Sequence, residues 1–307
     1  MRLLIVILLL GCNQVLFGQQ MTQYSQWAQH SVMINPAHLG IEKGLEMHSL
    51  YRFQWVGLEG APRSGGFAFS LQLDKRQKKY FESKHGIGVR FEADQIGQFN
   101  TNRVNFGYAP HFVINEQTRL SFGIYAGILQ MGFNHASATT VDDDPAVLRE
   151  AVVLAPDASF GALWAGRNYY AGVTLNQLIP WKWDGLGNDS KFRFHTSVQV
   201  GYKMNFSDNI RFLPAVLVKI PPRGPVAIDL QAMFDFSQKV QAGIAYRNND
   251  AIAIFAGFKI KQRFSVYYSY DIGISSLRGA HAGSHEVSLA FTTRRIENTA
   301  TYHGSLF

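Results

Sequence analysis

Several groups of side chains in this 307-residue chain have the composition of reactive or ligating sites. Ser284, His285 and Glu286 put a nucleophile, a base and an acid in one tripeptide. A triad needs all three to converge, but neighbours on a strand point to opposite faces, so Ser284 and Glu286 share a face that His285 leaves. Asp142, Asp143 and Asp144 carry the oxygen donors that calcium takes, yet an acidic run followed by Pro145 is first of all a solvated turn. Lys75, Arg76, Lys78 and Lys79 form the one short basic cluster; the other positive residues are spread along the chain, and the cluster reads as a turn between strands. The ten histidines lack metal-site spacing, and no P-loop, GxGxxG or GxSxG motif occurs. The expectation is a protein that is not an enzyme, with no catalytic, cofactor or metal site and no nucleic-acid partner.

The elements that would carry these residues follow from patterning. Hydrophobic residues make up 47% of the chain, yet its mean hydropathy is only -0.07. Alternating apolar and polar residues, as in a membrane barrel, reconcile the two values. Arg2 and an apolar run from Leu3 to Leu10 have the form of a signal peptide and are too short to span a bilayer. Cleavage near Gly18 is favoured; Leu9-Leu10-Gly11-Cys12 also resembles a lipobox that would lipidate Cys12. Cys12 is the one cysteine, so the mature chain has no disulfide or thiolate site. The formal charge of +7 falls to +7 − 1 = +6 without Arg2.

From Gly44 onward, segments of about ten residues alternate with period two. Leu45, Met47, Tyr51, Phe53 and Trp55 oppose Glu46, His48, Arg52 and Gln54; Val104, Phe106, Tyr108 and Phe112 oppose Arg103, Asn105 and His111. Fourteen such segments lie at 44–56, 64–74, 86–95, 102–114, 118–132, 157–166, 168–175, 191–205, 209–220, 225–235, 239–247, 251–260, 263–272 and 284–293. An even number of antiparallel strands closes a single-chain barrel, and in lipid closure is required. The fold expected is all-β: a single transmembrane antiparallel β-barrel of about 14 strands in the outer membrane. Its parts are a signal peptide (1–18), a non-strand, plug-like segment (19–43), the barrel (44–293) and a tail (294–307). Within 19–43, Tyr24, Trp27, Val32 and Ile34 could form an apolar patch closing the periplasmic mouth, Pro36 stops a helix and Gly40 permits a turn. Charges at Glu46, Arg52, Arg90, Glu92, Arg103, Arg193, Lys203, Arg211, Lys219 and Asp229 face the lumen, mixed in sign and suited to brace it. The longest connections fall at 133–156, 176–190 and 272–283.

Gln23-Tyr24, Asn35-Pro36-Ala37 with Gly40, then Tyr51-Arg52, Gln54-Trp55, Gly57 and Gly60-Ala61-Pro62-Arg63 together resemble the opening signature of the PorP/SprF family of type IX secretion system membrane proteins. Pro214 to Lys219, Gly243 with Tyr246-Arg247 and Asp250, Tyr268 to Asp271, and Gly283 to Val287 continue the resemblance nearly to the end. Ala215 stands where the family commonly has serine, and Val287 where isoleucine is usual. The resemblance implies an outer-membrane component of the type IX secretion and gliding machinery. Its partners would be a secreted adhesin's C-terminal domain, periplasmic secretion components, or both, for export or surface anchoring. The alternative is a passive outer-membrane solute channel.

Overall fold

In a computed structural model, residues 22–73, 83–115, 117–134, 152–181, 194–222 and 224–293 are described. They form fifteen strands: β1 (Leu45–Phe53), β2 (Arg63–Gln72), β3 (Ser83–Ile96), β4 (Phe99–Asn115), β5 (Thr118–Phe133), β6 (Val153–Ala165), β7 (Tyr169–Asn176), β8 (His195–Tyr202), β9 (Met204–Ser207), β10 (Ile210–Ile220), β11 (Ala227–Phe236), β12 (Val240–Arg247), β13 (Ala251–Ile260), β14 (Phe264–Gly273) and β15 (Ser284–Thr292). Every pairing is antiparallel, successive staves lie side by side, and β1 pairs with both β2 and β15, so the sheet closes.

The barrel has fourteen staves, because β8 and β9 are one stave interrupted at Lys203. Both pair with β10 in a continuous register, Gly201 opposite Ala215 and Met204 opposite Phe212. The interruption falls where β10 carries Pro214, which has no N–H to donate. Although several staves run further, β3 starting at Ser83, β4 at Phe99 and β6 at Val153, each of the fourteen alternating segments read from the sequence overlaps one stave. Arg193 and Phe192, at the start of one of them, lie outside the described residues, as do the Asp142–Asp144 run, the Lys75–Lys79 cluster and the tail.

Alternation sorts the side chains by solvent. Phe106, Tyr108, Ile254, Phe258, Val200 and Tyr202 face outward, while Asn105, His111, Ala253 and Gln199 are buried inside. Among the described strand residues, the ionisable groups other than tyrosine on the outer face are Arg63, at one end of β2, and two histidines. His85 bonds Tyr108 (Nδ1 to Oη, 2.7 Å), and His285 bonds Tyr268 (Nδ1 to Oη, 2.6 Å). Aromatic rings also tighten the wall from inside, where Tyr125, Tyr170, Phe255 and Tyr267 lie against Gly107, Gly201, Gly243 and Gly257 on adjacent strands.

One end of the barrel has mostly short turns, at 116–117, 166–168, 208–209, 237–239 and 261–263; the other has connections at 54–62, 134–152, 177–194 and 274–283. Outer-membrane barrels keep short turns in the periplasm and long loops at the surface, which orients this one. Replacing outward-facing Ile254 by lysine should cost about 2–4 kcal/mol near the bilayer midplane, measured as a shift in urea-induced unfolding in lipid vesicles.

A lumenal segment docked on a glycine trough

Residues 22–42 do not stop at the periplasmic mouth but run inside the barrel, with Trp27, His30, Asn35, Ala37 and Leu39 at most 1% exposed. The segment holds one helical turn, α1 (Ser31–Ile34), and a 3-10 turn at Pro36–His38. Pro36 ends α1, as its missing N–H and ring dictate. Asn35 then caps the second turn, its Oδ1 accepting from the Ala37 amide at 2.9 Å.

Such a short helical content leaves many backbone groups without local partners, and buried ones must be satisfied by the wall. Tyr125 Oη donates to the Val32 carbonyl (2.9 Å), and Arg90 Nη1 to that of Met33 (2.8 Å). His111 Nε2 donates to Leu39 O (2.7 Å), Arg119 Nη1 donates to Ile41 O (2.8 Å), and the Gly40 amide donates to Ser70 Oγ (2.7 Å). The Asn35 amide nitrogen reaches the carbonyls of Ala162 and Val173 at 3.3 and 3.4 Å.

This approach is close because the wall there lacks side chains. Inward positions of β2 to β7 carry Gly66, Gly86, Gly88, Gly107, Gly123, Gly161 and Gly172, which form a trough. A Cβ at Gly123 would collide with the Pro36 backbone, one at Gly161 with Asn35, and ones at Gly86, Gly88 and Gly107 with Leu39. Gly40, at φ +64°, turns the chain away beneath them.

The other end of the segment is held by charge. Arg52 pairs with Asp271 at 2.7 Å and Glu286 at 3.4 Å and also donates to the Ser25 hydroxyl. Glu286 accepts from the Ser25 and Gln26 amides at 2.8 and 2.9 Å, and Asp271 accepts from Ser25 Oγ at 2.6 Å. These residues sit near the surface ends of β1, β14 and β15, so the segment spans much of the lumen's height. Tyr24 Oη donates to Glu92 (3.1 Å), which also takes Arg103 at 2.7 Å; Arg103 reaches Asp157 at 3.1 Å. Lys219 pairs with Asp229 (2.8 Å) and Arg211 with Asp235 (2.8 Å). Burial and the Glu92 carboxylate together push the Tyr24 phenol well up from its usual value.

The sequence-predicted residues therefore divide among three places. Gln23, Tyr24, Asn35, Pro36, Ala37 and Gly40 belong to the lumenal segment, and Arg52, Arg90, Glu92, Arg103 and Lys219 to the wall around it. Gln54, Trp55, Gly57 and Pro62 sit in the β1–β2 connection at the surface rim, with Tyr51 just below on the outer face. There the Gln54 amide donates to Pro62 O (2.9 Å), and Val56 exchanges backbone bonds of 2.8 Å with Gly283 and Ala282. Positive φ at Trp55 (50°) and Gly57 (94°) shapes this loop. Ser25, Gln26, Asp271, Glu286 and the trough glycines were not singled out as site residues. The glycines did leave a signal: each falls on the polar face of its strand's alternation, as Gly66 does with Ser64 and Ser70, and Gly161 with Asp157 and Ser159.

The Ser284-His285-Glu286 tripeptide is split across the wall, with Ser284 and Glu286 buried inside and His285 outside. Among the described residues, no three His, Cys, Asp or Glu side chains are placed to hold a metal.

A closed, lipid-faced barrel with an occupied lumen is an outer-membrane protein. The profile of the family described as type IX secretion system membrane protein PorP/SprF matches residues 16–291, and the chain belongs to that family. No curated protein matches it. Among solved structures it is similar to the CymD monoaromatic hydrocarbon channel (12% identity, TM-score 0.53, covering 92% of this chain and 96% of that one). It also matches the P. putida toluene transporter TodX (8% identity, TM-score 0.49, 86% and 94% covered). At such identities the likeness is one of fold alone.

Two outcomes follow. Gly123→Leu should expel the segment while leaving the barrel closed, so chymotrypsin would cut at Tyr24 and Trp27 in the variant but not in the parent protein. His38 is pushed down to about 3, mainly by burial and then by the Arg119, His111 and His48 charges, and its Nε2 lies 2.6 Å from the Gln199 amide nitrogen, which must donate to it. A released His38 would titrate near 6.5, so the undocked state binds more protons between those values. Docking is then fully favoured above pH 6.5 and weakens as pH falls towards 3, read as rising chymotrypsin sensitivity.

Proposed function

We propose that this barrel is a non-enzymatic component of the type IX secretion and gliding machinery. It binds protein partners, a secreted adhesin, periplasmic secretion components or both, for export or surface anchoring. The observation that carries this reading is the occupied lumen: residues 22–42 act as a plug, with their backbone groups satisfied by the wall and the nearby charges paired. Such a barrel suits holding and presenting a partner better than passing solutes. The signature residues of the β1–β2 connection fit a docking role at the surface rim, and the plug's periplasmic end a contact with periplasmic components. Division of the chain into signal peptide, plug, barrel and tail belongs to the same proposal.

Deleting the gene should abolish surface display of a large adhesin, or secretion more broadly, while restoring the intact gene should recover it. Retained display in the deletion strain would sink the reading. Purified protein in planar bilayers should show little steady conductance; an open, partner-independent conductance would favour the solute-channel alternative instead.

A further inference from the structure

Five buried polar atoms that make no hydrogen bond converge on one cavity. They are Trp27 Nε1, Ser159 Oγ, Asn176 Nδ2, Gln177 Oε1 and Ser197 Oγ, all on residues at least nine-tenths buried. The cavity they line measures about 40 Å³. It lies in the surface half of the lumen, between Trp27 of the segment and the wall, bounded by Thr22 and by Gln177 just past the surface end of β7. Each unmade bond to a buried group costs about 1–3 kcal/mol, so five around one space point to an occupant.

The lining defines what that occupant must be. Its charged members are already engaged: Arg103 with Glu92 and Asp157, Lys219 with Asp229, and Arg90 with Asn105 and the Met33 carbonyl. An ionic ligand would therefore find no counter-charge. Trp27 and Asn176 offer N–H groups, Gln177 offers a carbonyl oxygen, and the two serines can do either. Met33, Ile34 and Leu217 supply an apolar floor. A carbonyl oxygen and an N–H₂ side by side on an apolar stem answer this whole set. We propose that the cavity is a socket for the carboxamide of an asparagine or glutamine side chain, presented by a protein partner at the surface mouth. The socket rests on the partner-binding reading above. Since one water needs roughly 10–15 Å³, the space holds about three waters or the three heavy atoms of a carboxamide.

The intact protein in detergent would be titrated with acetyl-Gly-Asn-Gly-N-methylamide, acetyl-Gly-Leu-Gly-N-methylamide and glucose, followed by tryptophan fluorescence and thermal unfolding. The socket predicts a saturable response to the asparagine peptide alone. It also predicts at least about tenfold weaker binding in Ser159→Ala/Ser197→Ala, whose own stability should not fall because the removed hydroxyls are unpaired. No saturable response to any probe would mean that water alone fills the space, and an equal response to the leucine peptide or to glucose would mean the wrong chemistry; each result overturns the socket. Adhesin display can still depend on the barrel if the socket fails, so the two readings fall separately.

Discussion

Everything in this molecule depends on pairing backbone polar groups where water cannot reach them. In the wall, antiparallel ladders meet that demand, and the seam between β1 and β15 leaves no edge exposed to lipid. Inside, the same demand falls on a segment with too little helix to satisfy itself. The wall meets it with side chains: Arg90, His111, Arg119, Tyr125 and Ser70 each bond a backbone group of residues 32–41. Lumen polarity is thus the donor and acceptor set that lets an irregular chain remain buried, and not merely the complement of an apolar exterior.

The two attachments of the segment differ in physical kind. Around Asn35 to Gly40 the contact is steric, made by removing side chains from β2 to β7 until backbone meets backbone. Around Ser25 it is electrostatic, made by Arg52, Asp271 and Glu286. A buried cluster of this sort adds little net stability against apolar packing, but losing one member strands the others. Its value lies in fixing register, because Glu286 can accept from the Ser25 and Gln26 amides in one placement of the chain.

The barrel was legible in the sequence because period-two patterning is a local property. Each stave of β1 to β15 sorts its own side chains between lipid and lumen, so staves could be counted without knowing their neighbours. The lumenal segment was legible only in part. Pro36 and Gly40 announced a stop and a turn, but the apolar patch expected at the mouth lies deeper, because Tyr24 and Trp27 are drawn up the lumen by contacts across the barrel. Tyr24 reaches Glu92 across 68 positions, and other contacts of the segment join residues more than two hundred positions apart, as Gln29 joins Gln231 and Ser25 joins Glu286. No local pattern encodes them. The glycine trough was visible letter by letter, yet its meaning depended on seven positions meeting on one side of the cylinder.

The interruption at Lys203 has a consequence for how the wall would come apart. Pro214 withholds a donor from the stave formed by β8 and β9, and a register shift follows between Ile210 and Arg211. Met204 to Asn209, beyond the break, are all exposed. The cylinder therefore carries a built-in tear line at its periplasmic lip, on the flank away from the β1–β15 seam. Fraying would begin there and stay confined to the lip, so the lower edge of the wall could loosen while the surface rim kept its shape.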